Sequence, residues 1–195
     1  MCIRVLMILR KQTLKKLLKR FPWLRAIPMI AMMVVIFCFS AQSGEESSET
    51  SNIIVKPLVD VIENISNKEM SQDAQKTLSF IVRKGAHFSE YALLALTVWW
   101  AAGIFTWKFD VKKLIKPISV VAVAALYATS DELHQALVAD RMCSGRDILI
   151  DSCGALCMVC LIAVLQRKSS TRINAAEPKK LESSKTGKIH KRKKR

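Results

Sequence analysis

Two adjacent carboxylates, Asp131 and Glu132, interrupt an apolar stretch of the chain, LYATSDELHQALVADR at residues 126–141. Residues 118–126 ahead of them are Val, Ala, Ile and Leu apart from Ser119. An ionisable side chain at the centre of a membrane-spanning helix costs roughly 2.5–3.5 kcal/mol, so a pair requires polar partners or water. Paired with an imidazole, such carboxylates can perform general acid–base chemistry. The first question is therefore which residues serve as partners.

A second stretch, RKGAHFSEYALLAL at residues 83–96, supplies one set of partners. On a helix, Lys84, His87 and Tyr91 fall at positions i, i+3 and i+7, and Glu90 lies three residues beyond His87. One narrow helix face would thus carry an ammonium, an imidazole, a carboxylate and a phenol.

A third set follows the carboxylates along the chain. Arg141 and Arg146 flank a short connection, and Asp147 and Asp151, one helical turn apart, open the last apolar block. On the helix of Asp131 and Glu132, Gln135 is a further polar residue.

Four apolar blocks must position these residues. The chain has 195 residues, of which 51% are hydrophobic although 24% are charged, so apolar and charged residues are segregated. Each block is about long enough to cross ~30 Å of hydrocarbon at ~1.5 Å per residue. We predict an all-α integral membrane bundle with transmembrane helices at residues 24–41, 86–107, 114–138 and 147–165. The first block also resembles the core of a cleavable signal peptide, but its long basic lead and the lack of an A-x-A site favour retention.

Basic residues set the predicted orientation. Residues 1–25 carry eight Lys and Arg, residues 108–116 carry four and the tail from residue 166 carries twelve, which is 24 of the 31 in the chain. Lys and Arg are enriched on the cytoplasmic side, so both termini and the central connection are predicted to face the cytoplasm. We read the basic tail as a topology and lipid-headgroup determinant rather than as a nucleic-acid site.

This orientation divides the chain into three parts. Residues 1–25 form a basic amphipathic cytoplasmic segment, residues 26–165 the four-helix domain and residues 166–195 a polybasic tail expected to be disordered. Residues 42–83 form an outer segment with amphipathic helical spacing, which would cover the polar end of the bundle.

The polar residues of three predicted helices share one depth. Because the second and fourth helices run inward and the third runs outward, their polar positions all fall in the outer leaflet, one to two turns below the surface. Charges placed only for topology would not match across helices of opposite direction, so we predict a shared, outward-facing polar pocket. The ligand-binding candidates are Lys84, His87, Glu90, Tyr91, Asp131, Glu132, Gln135, Arg141, Arg146, Asp147 and Asp151, and the catalytic candidates are His87, Glu90, Asp131 and Glu132.

The same motifs carry a family resemblance. KGAHFSEYALLAL, DELHQ, Arg141 and DILIDSCG at residues 147–154 resemble the signature of the VanZ-like family of small multi-pass bacterial membrane proteins, over about residues 26–165. That pattern has Lys or Arg with His-Phe-x-Glu-Tyr, then Asp-Glu-x-x-Gln, a loop Arg, and Asp-x-x-x-Asn-x-x-Gly. The matching residues are Lys84, His87, Phe88, Glu90, Tyr91, Asp131, Glu132, Gln135, Arg141, Asp147 and Gly154. Asp151 stands where the family has Asn.

The resemblance implies a plasma-membrane protein that lowers susceptibility to teicoplanin, a lipoglycopeptide acting outside the membrane. It implies no established reaction, no cofactor and no resident metal. The implied partners are membrane lipids and a lipoglycopeptide or envelope-lipid ligand, with no nucleic acid; the oligomeric state is not implied.

The residues themselves leave four interpretations open. The polar groups pair with one another, Lys84 or Arg141 with Asp131 and Glu90 with Arg146. They bind a lipid headgroup or amphiphile, with Lys84, Arg141 and Arg146 on its anion. They form an enzyme on an envelope lipid or precursor, with His87 as general base. Or His87 and Glu90 hold a divalent ion with Asp131 and His134.

Overall fold

The computed structural model describes the backbone of residues 12–13, 16–104, 112–141 and 143–192, and their side chains except at 104, 112–114 and 169–192. Within these ranges every regular element is a helix and no strand occurs, so the predicted all-α class is confirmed there. Much of the predicted amphipathic N-terminal segment, namely residues 1–11 and 14–15, lies outside the described residues, as does the connection at residues 105–111.

The first half of the described chain forms two helices joined by a tight turn. A short 3-10 helix, Pro22–Ala26, leads into α1, Ile27–Ser40, and α2 follows at Gly44–Ser66. A capping box starts α2, because the Glu46 amide donates to Ser43 Oγ at 3.2 Å and the Ser43 amide donates to Glu46 Oε2 at 2.8 Å. At its end Asn67 adopts the left-handed conformation, φ 50°, which stops the helix.

The second half forms three longer helices. Helix α3, Gln72–Ala101, is capped by the Ser71 hydroxyl and passes into a 3-10 turn, Ala102–Ile104. Helix α4 spans Lys112–Gln135 and helix α5 spans Gly145–Arg192. The sequence places a helix start at residue 86, whereas α3 begins at Gln72, since Ser71 provides the earlier cap and the amphipathic spacing continues without a break.

Helix α3 is the central element of the packing. It contacts α1, α2 and α4. It also approaches α5 very closely, because a Cβ added at Gly154 would overlap the Phe88 carbonyl oxygen. Small residues permit this spacing between helices. The buried apolar core is rich in alanine and consists of Ile36, Tyr91, Leu94, Ala95, Val98, Val120, Ala124, Ala128, Ala155 and Val159.

Two helical stretches in the described part of the chain are long and apolar enough to cross a membrane. They are Pro22–Ser40 and Gly145–Lys168. The crossings predicted at residues 86–107 and 114–138 correspond to parts of α3 and α4, and the four-crossing arrangement stays a prediction.

The chain divides into two compact units, Met1–Val159 and Cys160–Arg195. The first contains α1 to α4, the start of α5 and every site residue discussed below. The second is helical as far as Arg192, through a segment for which the sequence favours disorder, and its side chains at Leu161, Val164 and Leu165 are exposed.

Candidate functional site

The carboxylate of Asp131 sits at the centre of a buried hydrogen-bonded triangle. Asp131 and Gln135 are each 4% exposed and Ser40 is 1% exposed. The Ser40 hydroxyl donates to Asp131 Oδ2 at 2.7 Å, and Gln135 Nε2 donates to the same oxygen at 3.2 Å and to Ser40 Oγ at 2.6 Å. The last residue of α1 is thereby tied to the last turn of α4.

Glu132 joins α4 to the start of α5. Its carboxylate is 1% exposed, and its Oε2 accepts a hydrogen bond from the Ser144 amide at 2.8 Å. Its second oxygen, Oε1, is buried and has no hydrogen-bond partner. Gln135 Oε1 accepts from Arg141 Nη1 at 3.1 Å, which fixes the connection at residues 136–144 against the helix that precedes it. The two carboxylates therefore connect the ends of neighbouring elements, Asp131 through Ser40 of α1 and Glu132 through the Ser144 amide.

Facing residues of α3 and α5 form two further pairs. Lys84 Nζ lies 2.5 Å from Asp147 Oδ2, an ion pair about one-fifth exposed on either side. His87 Nδ1 lies 4.0 Å from Asp151 Oδ1, which is beyond hydrogen-bond distance. Asp151 is fully buried, and neither of its oxygens has a hydrogen-bond partner. The close contact at Gly154 explains why these pairs face each other.

The phenol of Tyr91 completes the buried cluster. Tyr91 is 0% exposed and its hydroxyl lies near Asp131 but outside hydrogen-bond geometry. Unpaired polar atoms therefore occur together, on Tyr91, Glu132, His87 and Asp151. A buried polar group without a partner costs about 1–3 kcal/mol, so such a concentration is typical of a site that water or a ligand completes.

A cavity of about 190 Å³ opens beside this cluster, underneath α2. His87, Glu90 and Arg141 of the predicted set line it, together with Arg83. The side of α2 contributes hydroxyl groups, and the remaining lining residues are Phe39, Gln42, Ser47, Thr50, Ser51, Ile54, Val82 and Ala86. Helix α2 is held over the cavity because Gly44 packs directly on the backbone of Asp140 in the α4–α5 connection.

Two arginines contribute the positive charge of the cavity wall. Arg83 Nη2 donates to Ser48 Oγ on α2 at 3.3 Å, and Arg141 donates to Gln135 as described. The Nε atoms of both arginines are buried without a hydrogen-bond partner. Burial, followed by the repulsion of the Arg83 guanidinium, lowers the pKa of Arg141, so the two charges are close enough to oppose each other.

The structure brings together most of the predicted site residues, but in different pairs. Lys84 pairs with Asp147 rather than with Asp131, and Arg141 bonds to Gln135. Arg146 is exposed, and among the described side chains no ion pair joins it to Glu90. It does not line the cavity.

The metal interpretation finds no matching geometry in the described part of the chain. There, no group of three or more His, Cys, Asp and Glu side chains is arranged to hold an ion. His134, the fourth member of the proposed set, stacks on the Phe37 ring with 4.6 Å between centroids.

Sequence reasoning missed two contributors, Ser40 and Arg83. Ser40 ends an apolar block and reads as the start of the polar linker. Ser144 is predicted to lie in the loop above the polar residues, but its contact with Glu132 is made by the backbone amide, which carries no side-chain signal. Arg83 had a usable signal, because Arg83, His87 and Glu90 fall at i, i+4 and i+7 on one stripe of α3.

Comparison with known proteins gives one match. A family model described as VanZ/LLP1 matches residues 25–166, a range that contains every residue of the cluster and of the cavity wall. No curated protein and no solved structure matches the chain.

Proposed function

The chain belongs to the VanZ/LLP1 family, as its motifs predict, and from that premise we propose that it binds the polar headgroup of an envelope lipid or amphiphile. Family membership and the two apolar helices together indicate a membrane protein. The observation that carries the proposal is the 190 Å³ cavity, whose wall combines charged side chains of α3 and the α4–α5 connection with hydroxyl groups of α2. The expected consequence is reduced susceptibility to lipoglycopeptides of the teicoplanin type.

The proposed topology puts the cavity on the outer side of a bacterial plasma membrane. Four crossings with cytoplasmic termini satisfy the distribution of Lys and Arg, because the three most basic segments then share one side. In that arrangement the end of α1, the end of α4 and the start of α5 all lie outside. Ser40, Asp131 and Asp147 belong to these ends, and so does the cavity beside them.

Helix α2 fits a position in the outer interface. Val55 and Val59 are buried, whereas Ile53, Ile54 and Ile65 are 75%, 54% and 79% exposed. A helix with a polar side and a large exposed apolar side is typical of one lying in the headgroup region of a bilayer. A cavity beneath such a helix is at the depth where headgroups are found. The bound group would therefore reach it sideways from the outer leaflet.

The test measures teicoplanin susceptibility in cells that lack the protein, carry it, or carry His87→Asn or Glu132→Gln. Both substitutions preserve side-chain volume approximately and remove the imidazole or the charge. We expect the wild type to reduce susceptibility and both variants to lose that effect at normal membrane levels, which blotting would verify. Glu69→Gln, an exposed carboxylate in the α2–α3 turn, is the matched control and should behave as the wild type.

Two results would count against the proposal. If both variants lowered teicoplanin susceptibility as much as the wild type does, the cluster would have only a structural role. If cells with and without the wild-type protein were equally susceptible, the protein would have no role in resistance.

A second candidate function is acid–base catalysis on an envelope lipid or precursor. It is favoured by His87, which lines the cavity and faces the unpartnered carboxylate of Asp151 at 4.0 Å. At 4.0 Å the two groups form no hydrogen bond, and a small approach of Asp151 would let its carboxylate orient the imidazole and stabilise its protonated form, as a general base requires. Incubating the purified protein with envelope lipids and comparing masses before and after tests this directly. A product formed by the wild type and not by His87→Asn would establish catalysis.

A further inference from the structure

We infer that Arg83 and Arg141 together hold the phosphate of a lipid headgroup in the cavity beneath α2. This inference rests on the proposed function and specifies the chemistry of the same site. Neither the family pattern nor the charge distribution singles out Arg83, which enters through its position in the structure.

The first argument is that the two guanidinium groups converge from separate elements. Arg83 comes from α3 and Arg141 from the α4–α5 connection, and both line one cavity of about 190 Å³. Two like charges at such proximity repel each other, and an anion between them reverses the sign of that interaction. A shared phosphate is the ligand that guanidinium groups suit best, because they present several N–H donors in a planar fork.

The second argument is that the donors are available. Each arginine has one anchoring hydrogen bond, Arg83 to Ser48 on α2 and Arg141 to Gln135 on α4. These bonds orient the side chains while the buried Nε of each is left without a partner. Buried donors are almost always paired in folded proteins, so these two indicate an acceptor that the chain does not provide.

The third argument is that, among the described residues, no carboxylate forms an ion pair with either arginine. Asp131, Glu132 and Asp147 attract Arg141 at a distance, but each already has a partner, in Ser40, Ser144 and Lys84 respectively. Glu90 is the carboxylate in the cavity wall, and among the described residues no ion pair joins it to either arginine.

Arg83 also lies where a lipid would enter. It lines both the cavity and an open groove of about 740 Å³ between α2 and the first half of α3. The groove contains apolar residues, Val55, Val59 and Phe80, beside the basic Lys56 and Lys76 and the acidic Asp60. An anionic phospholipid is complementary to this surface, because its headgroup is negative and its chains are apolar. A free phosphate ion would use only the arginines.

The experiment uses the full chain purified in an uncharged maltoside detergent, with bound lipid counted by native mass spectrometry. The probes are phosphatidylglycerol, a diacyl glucosyl glycerol that lacks phosphate, and inorganic phosphate as a competitor. We expect phosphatidylglycerol to bind and the glycolipid to bind much more weakly. Arg83→Gln and Arg141→Gln should each weaken phosphatidylglycerol binding about tenfold, as expected for losing a hydrogen bond to a charged group. Lys68→Gln, an exposed cation in the α2–α3 turn, should bind as the wild type does.

The outcomes separate the two proposals. Equal binding of the glycolipid, or unchanged binding in both arginine variants, overturns the phosphate assignment and leaves the headgroup pocket in place. Failure of every lipid to bind the wild type overturns both proposals. Complete displacement by inorganic phosphate at matched concentration shows that free phosphate is the ligand and overturns the lipid source. Arg83→Gln keeps the Arg141–Gln135 bond, so the test remains decisive even if Arg141→Gln unfolds.

Discussion

The same helices build two regions that are held together differently. Toward one end, α3, α4 and α5 meet through small apolar side chains such as Ala95, Ala124 and Ala155. Toward the other end they meet through carboxylates, an ion pair and hydrogen bonds with defined partners. We refer to these as the apolar half and the polar half. This difference indicates that close packing of small side chains brings the helices together, and that hydrogen bonds and the ion pair then fix the geometry of the site.

The polar half depends on the apolar half through Gly154. Its position lets the backbone of α5 touch α3 at Phe88, the residue after His87, and Gly154 lies three residues after Asp151. A side chain there would separate the two helices at the level where their polar residues face each other. Substitution of this glycine is therefore expected to have the largest effect on the polar half.

The first prediction concerns Gly154→Ala. The added Cβ would overlap the Phe88 carbonyl oxygen and lie 3.0 Å from the carbonyl carbon, and backbone atoms cannot move aside as a flexible side chain can. We expect a loss of about 3 kcal/mol, in the upper range for overpacking, measured as thermal unfolding in detergent. Gly85→Ala is the control, since no atom lies within 4 Å of its added Cβ, and it should be neutral or stabilising. Equal stability of the two variants would show that α3 and α5 are not in contact at Phe88.

The second prediction compares one deletion in each half. Asp131→Ala and Val120→Ala remove side chains of similar size from buried positions of α4. We expect about 3 kcal/mol for Asp131→Ala, because the buried Ser40 hydroxyl loses its acceptor and Gln135 loses one of its two. Val120→Ala loses only apolar contacts and should cost about 1–2 kcal/mol. The measurement is the same unfolding transition.

Exposed Leu133 on α4 provides the reference for that pair. Leu133→Ala should change the unfolding transition least of the three, because the side chain is 61% exposed. If Val120→Ala proved as costly as Asp131→Ala, the hydrogen-bonded triangle would contribute no more than packing does.

The third prediction isolates the contact between Lys84 and Asp147. A double-mutant cycle with Lys84→Gln and Asp147→Asn should give a coupling of about 1 kcal/mol, since the pair is close but partly exposed. Raising the salt concentration should reduce this coupling only modestly, because partial burial limits screening. A coupling near zero would mean that α3 and α5 are joined by packing alone in this region.

Much of the fold could be predicted from sequence because it depends on composition and period. Apolar blocks predict helices in these regions. The caps at Ser43 and Ser71 were not predicted, although serine is a common capping residue. The depth argument predicted one shared level for Lys84, Asp131 and Asp147. The structure pairs Lys84 with Asp147, and the position of that level in a membrane stays a prediction. The family resemblance was confirmed by the family model that matches residues 25–166.

The pairing of these residues could not be predicted in the same way. Which cation meets which carboxylate depends on the rotation of each helix about its own axis, and the sequence does not specify rotation to better than one side chain. Lys84 thus meets Asp147 instead of Asp131. Ser40 was missed for a related reason, because its role comes from the turn that ends α1 beside α4.

The last prediction compares Arg141 and Arg146, two arginines whose different surroundings could not be predicted from their spacing. Spacing alone makes Arg141 and Arg146 equivalent candidates. The structure places Arg141, the arginine of the family pattern, in the cavity wall and leaves Arg146 exposed in the first turn of α5. Arg146→Gln should shift the unfolding temperature by less than about 2 °C, because it removes an exposed cation from a helix N-terminus that does not favour one. Teicoplanin susceptibility and phosphatidylglycerol binding should also match the wild type. Arg141→Gln should impair both properties, since it removes a cavity donor and frees Gln135. Similar losses in the two variants would extend the polar half to Arg146 and restore the arrangement that spacing alone predicted.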